Sequence, residues 1–112
     1  MKLKISLFTL LLSISTLSEA AFNCTVGLSR ILVYGNGSVN VLHQGRNDFT
    51  VICSLNEARQ GVSITTCAMW TSMLQNIKKE GNKAIFYYPG SGTCAALPTY
   101  GNTPAPVYIG VV

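Results

Sequence analysis

The sequence predicts a small, mainly β domain with one helix, in the order strand–strand–strand–helix–strand–strand. Three observations carry this prediction. Ser63–Gly81 is the one stretch with a helical apolar period. At about 100° per residue, Cys67, Trp70, Met73, Leu74 and Ile77 fall on a single stripe. Alternating apolar runs separated by Gly- and Asn-rich turns precede and follow it. A five-stranded OB-like barrel (β-β-β-α-β-β) has this order, with its helix plugging one open end. The alternative is an open α+β sheet with the helix on one face.

Taken from the start, Met1–Ala20 reads as a signal peptide: Lys2 and Lys4, then an apolar run over Ile5–Leu17, then Ser18-Glu19-Ala20 with small residues where a peptidase reads. The apolar run is short for a membrane span, and no later stretch resembles one. Residues 21–112 then form one disulfide-stabilised domain. Thr25–Tyr34 is the first strand, with Val26, Leu28, Leu32 and Tyr34 on one face and a bulge near Gly27. Asn36-Gly37 is a hairpin signal, because both residues tolerate positive φ. Val39–Gln44 is the second strand. Gly45-Arg46-Asn47 turns into the third, Asp48–Leu55, so the first three strands form a meander. Ser63 is a good N-cap, Lys78 and Lys79 suit the negative end of the helix dipole, and Gly81 suits a left-handed stop. Lys83–Tyr88 is the fourth strand. Pro89–Tyr100 is a long Gly/Ser/Thr/Pro-rich loop, and loops of that length are pinned or functional. Pro104 and Pro106 delay the last strand until Val107.

The chain carries a formal net charge of +4, which falls to +3 when Lys2, Lys4 and Glu19 leave with the leader. The charges are scattered along the sequence, which is a poor footprint for nucleic acid. Four cysteines in an exported chain read as disulfides. Of the three pairings they allow, Cys53–Cys67 and Cys24–Cys94 are favoured. They close loops of about 15 and about 70 residues, which the chain-entropy model values at roughly 3 and 4 kcal/mol. No Cys-x-x-Cys occurs and His43 is the sole histidine, so neither a metal nor another cofactor is expected.

Little in the sequence supports catalysis. General acid–base work needs two titratable groups with separated pKa values. The only pair within reach is His43 and Asp48, which reads better as a strand-end His beside a turn Asp. No Gly-x-Ser-x-Gly occurs, and no cysteine is left free. Trp70 sits mid-stripe on the helix and reads as core rather than as a ligand platform. Tyr87 and Tyr88 face opposite ways, so one is core and one exposed. Tyr100 and Tyr108 flank the proline-rich bend. Arg46, in a turn, is either a polar anchor for a ligand or a solvated turn residue. The binding candidates are Arg46, Tyr87, Tyr100 and Leu97. Asn23-Cys24-Thr25 and Asn36-Gly37-Ser38 match the N-glycosylation pattern.

Two resemblances add to this reading. Val33-Tyr34, Val39-Asn40-Val41, Asp48–Cys53, Gly61-Val62-Ser63, Thr66-Cys67, Trp70, Tyr87-Tyr88 and Leu97–Gly101 resemble a family of short exported bacterial proteins with no assigned activity. More loosely, Leu42-His43-Gln44-Gly45, Ile52-Cys53, Cys67 and Trp70 are similar to the B subunits of the subtilase-cytotoxin and typhoid-toxin kind. That second resemblance implies an OB-fold, ring oligomers and recognition of cell-surface glycans. The family's glycan-contacting residues have no matched positions here, so it implies no particular sugar. The expectation is an exported, non-catalytic binding module, periplasmic or extracellular, taking a glycan. The alternative is a small protein-interaction factor or inhibitor acting through the loop 89–106, with Leu97, Pro98 and Tyr100 as the residues a partner would need.

Overall fold

The strands are shared out around one glycine, Gly27. The computed structural model describes residues 20–112, so all of the expected leader except Ala20 lies outside the described residues. The first expected strand is two: β1 (Ala21–Val26) and β2 (Leu28–Val33), with Gly27 between them. Then follow β3 (Ser38–His43), β4 (Thr50–Ser54), α1 (Ile64–Glu80), β5 (Ala84–Pro89) and β6 (Tyr108–Val111). The strands form two three-stranded antiparallel sheets, β1-β5-β6 and β2-β3-β4. Gly27 is where the chain passes from one sheet to the other. A Cβ there would run into the Gln44 side chain. Its carbonyl accepts the Gln44 N–H at 3.0 Å.

The domain is therefore mainly β with one helix, as expected, and it fits the open α+β alternative. The five-stranded barrel is not closed. Closure would need β4 to gain a neighbour from the C-terminal segment, and only Tyr100 reaches it, through a single parallel bridge to Thr50. Pro98, Pro104 and Pro106 interrupt that segment, and proline has no N–H to give to a ladder. The face expected for the first strand also changes. Register slips between Leu28 and Arg30, so beyond the slip Ile31 turns inward while Leu32 and Tyr34 are exposed. A one-residue slip has this effect because side chains alternate with period two. The meander β2-β3-β4 is as expected, and β3 buries Val39, Val41 and His43 on one face.

The helix follows its sequence signals closely. Ser63 Oγ accepts the Thr66 N–H at 3.0 Å. At the other end Gly81 is left-handed, and the N–H groups of Gly81 and Asn82 return to Lys78 and Ile77 at 3.1 Å each, the paired bonds of a Schellman stop. Cys67, Trp70, Leu74 and Ile77 are buried, with Met73 half-buried on the same stripe. Thr71 joins the buried set because its hydroxyl donates to the Cys67 carbonyl at 2.7 Å, which satisfies the polar group inside the helix. Trp70 is a core residue, as its place on the stripe implied.

Both expected disulfides are present. Cys53–Cys67 ties β4 to the helix, and Cys24–Cys94 ties β1 to the long loop. They fit an oxidising, exported environment. Among the described residues no helix is long and apolar enough to cross a membrane.

The β2–β3 turn is the tightest local constraint. Gly37 has φ +90°, and a Cβ there would lie 2.8 Å from the Asn56 backbone nitrogen. Its carbonyl also accepts the Leu55 N–H at 2.7 Å. Gly37→Ala is expected to destabilise the fold by about 1–3 kcal/mol. A lowered urea midpoint with an unchanged m-value would show it.

Candidate functional site

The loop 89–106 has almost no regular structure, so its backbone groups need other partners. Two arginines supply them. Arg46 leaves the β3–β4 turn, where Gly45 at φ +87° lets the chain reverse. Its guanidinium donates to the carbonyls of Cys94 and Leu97, 3.0 Å each. Arg59 donates to Val51, Gly101 and Thr103 carbonyls at 3.4, 3.1 and 2.8 Å. Thr103, fully buried, directs its hydroxyl at the Pro98 and Tyr100 carbonyls, 2.6 and 2.9 Å away. Gln60 Oε1 accepts the Ala105 N–H at 2.8 Å. The loop is pinned along its length, as Cys94 suggested. Arg46 is thus a strut that gives one donor from each terminal nitrogen to the loop. Leu97, offered as a recognition residue, is 4% exposed and belongs to the core.

Tyr100 is different. It is 49% exposed and holds φ +50°, a conformation uncommon for a bulky residue. Two backbone bonds impose it: its N–H donates to Phe49 at 2.7 Å and its carbonyl accepts from Val51 at 3.2 Å. The ring is thereby held out beside Phe49, with centroids 6.4 Å apart.

The second exposed aromatic feature lies on the outer face of the β1-β5-β6 sheet. Along β5, Ala84, Phe86 and Tyr88 point inward and are buried, so Tyr87 points outward. It stands opposite Asn23 on β1 and Tyr108 on β6. The Tyr87 and Tyr108 rings stack in parallel, 4.9 Å between centroids and 9° between planes. Tyr108 is 47% exposed and Tyr87 half-buried. One row across the sheet therefore reads Asn23–Tyr87–Tyr108: an amide beside two stacked phenols. The structure brings Tyr87 and Tyr108 together, whereas Leu97 lies in the loop and Arg46 holds that loop from the β3–β4 turn. Period-two alternation predicted that one of Tyr87 and Tyr88 would face out. It gave no register between β5 and β6, so the stack was not readable.

His43 does not pair with Asp48. Its ring is 1% exposed, with neither nitrogen hydrogen-bonded among the described residues. It lies against Phe86, centroids 4.7 Å apart. It forms part of the wall of a cavity of about 200 Å³ with Arg46, Gly45 and Cys94. Asp48 is exposed. The expected strand-end position is right, but the strand end is roofed by the pinned loop. Burial, aided by the Arg46 charge, lowers the His43 pKa to about 4. Nearby Tyr88, stacked on Phe22, is pushed up to about 12 by burial.

The sign of the pH effect follows. Between about pH 4 and 6.5 the unfolded chain binds a proton at His43 and the folded protein does not. The stabilisation is complete above pH 6.5 and is lost as pH falls toward 4, by about 3 kcal/mol at 1.36 kcal/mol per unit. Unfolding free energies of the wild type and His43→Phe should therefore diverge by that amount between pH 7 and pH 4. A separate measurement concerns Arg46→Met, which should speed amide exchange at Leu97 and cost about 1–3 kcal/mol.

No protein-family model matches the chain, and a search of curated proteins returns no match.

Proposed function

We propose that this is an exported, non-catalytic binding module that recognises glycans through the outer face of the β1-β5-β6 sheet. The observation that carries the reading is the parallel Tyr87–Tyr108 stack, facing solvent, with Asn23 in the same row. Flat aromatic rings pack against the C–H face of a sugar, and a neighbouring amide offers both a donor and an acceptor to hydroxyls. The lack of catalysis is supported by His43, which is shut in against Phe86 while Asp48 stays at the surface. The resemblance to toxin B subunits points to the same ligand class. An OB-like reading goes with it: counting residues 21–33 as one bent strand gives the β-β-β-α-β-β order, and the Thr50–Tyr100 bridge lies where such a barrel would close.

A second reading rests on Tyr100. An exposed aromatic ring held at positive φ by a fastened loop suits recognition of a protein surface, as in an inhibitor. In that case the function belongs to the loop 89–106 and not to the sheet.

The test is a glycan array with the oxidised protein, followed by titration of the best ligand. Tyr87→Ala and Tyr108→Ala should each weaken binding by about tenfold, the order of one aromatic contact, while Tyr100→Ala leaves it intact. An array with no saturable ligand would remove the glycan reading. Loss through Tyr100→Ala alone would move the site to the loop.

A further inference from the structure

A different surface has the features of a peptide-binding edge. An open groove of about 510 Å³ runs between β2 and the last turns of α1, lined on one side by Ser29–Leu32 and on the other by Gln75, Lys78 and Lys79. Side chains alternate along a strand, so a wall of four consecutive residues is the strand's edge and not one of its faces. This edge is open for a topological reason. β1 has β5 beside it, but that pairing ends at Val26 and Ala84, just before Gly27. Upstream of Ala84 the chain is already the Gly81 cap and the helix. β2 is therefore left with β3 on one side and the end of the helix across from the other. Antiparallel pairing with β3 uses the backbone groups of alternate residues, and those of the remaining residues point outward from the edge.

The groove is also the basic part of the molecule. Arg30, Lys78 and Lys79 are exposed, and no carboxylate lines the groove. Arg46 and Arg59, by contrast, are committed to loop carbonyls. Cations that look scattered in the sequence are thus gathered where β2 meets the helix C-terminus. Beyond them Leu32 and Val33 end the strand and Tyr34 follows it, all exposed. A second copy of this chain is a poor occupant, because antiparallel pairing of two β2 edges would bring two such basic clusters together.

We propose that the β2–α1 groove binds an extended acidic segment of a partner protein by strand addition. The segment would become a fourth strand of the β2-β3-β4 sheet, with carboxylates on its helix face toward Lys78 and Lys79, carboxylates on its outer face toward Arg30, and apolar side chains against Val33 on the one face and Leu32 on the other. Main-chain hydrogen bonds fix the register, and charge contributes both affinity and selectivity. The site is on the opposite sheet from the Asn23–Tyr87–Tyr108 row and does not depend on it.

The probe is a capped, fluorescein-labelled ten-residue peptide of paired threonines and paired glutamates, which puts carboxylates on both faces of an extended strand, titrated into the oxidised protein. Anisotropy reports affinity, and NMR hydrogen exchange reports the β2 amides. The expected result is saturable binding with slowed exchange of alternate amides within Ser29–Val33. Arg30→Glu should weaken it at least about tenfold by placing like charges together, and Lys79→Gln should weaken it less. A proline at the peptide's centre should abolish it by removing a ladder donor. In 1 M salt, where the Debye length is about 3 Å, it should fade. Saturation without slowed β2 exchange, equal affinity for Arg30→Glu, or full tolerance of the proline would each overturn strand addition. So would displacement of the peptide by equimolar inorganic tripolyphosphate, which carries charge but no backbone. A dimer that the peptide disperses would assign the edge to a second copy and overturn the proposal.

Discussion

The fold depends on a chain that must serve two sheets at once. Residues 21–33 give their first half to β5 and their second half to β3. The handover occurs at Gly27, where a side chain would collide with Gln44. Because the strand changes partners there, the two sheets share a core without sharing an edge. That core takes Cys24, Phe86 and Tyr88 from one sheet and Val39, Val41 and Ile52 from the other, with Leu74 and Ile77 of the helix among them. The same handover leaves β2 with an open edge and puts the helix C-terminus across from it.

The C-terminal third meets a different constraint. Between β5 and β6 the chain is too rich in Gly and Pro to form a ladder, yet it covers buried surface. Its carbonyls are served by side chains of distant residues, chiefly Arg46 and Arg59, and its position is fixed by Cys94. An arginine suits this work because its planar fork offers several donors in fixed directions and stays charged when half-buried. The cost is local. His43 beneath the loop has no hydrogen-bond partner among the described residues.

Local signals in the sequence were reliable wherever the physics is local. The N-cap at Ser63, the left-handed stop at Gly81, the Asn36-Gly37 hairpin and the apolar stripe of the helix depend on neighbours within a few residues, and all are present. Long-range register is not encoded that way. Gly27 announces an irregularity beside Leu28, where the register does shift, but nothing local says that the shift turns Leu32 outward. Nothing near Tyr87 names Tyr108 as its partner. The turn at Gly45-Arg46 leaves Arg46 equally open to a ligand or to solvent, because the carbonyls it reaches lie some fifty residues away. The basic groove was missed for the same reason: Arg30 and Lys78 come together only when the helix lies across β2.

The two disulfides differ in how far solvent can reach them. Cys53 and Cys67 are both fully enclosed, whereas Cys94 is only half-buried opposite an enclosed Cys24. Thiol–disulfide exchange needs an attacking thiolate to approach a sulfur atom. A reducing compartment would therefore act on the two bonds in sequence, opening Cys24–Cys94 first. That would remove one of the loop's fastenings while Arg46 and Arg59 still hold its carbonyls and the helix stays bonded to β4.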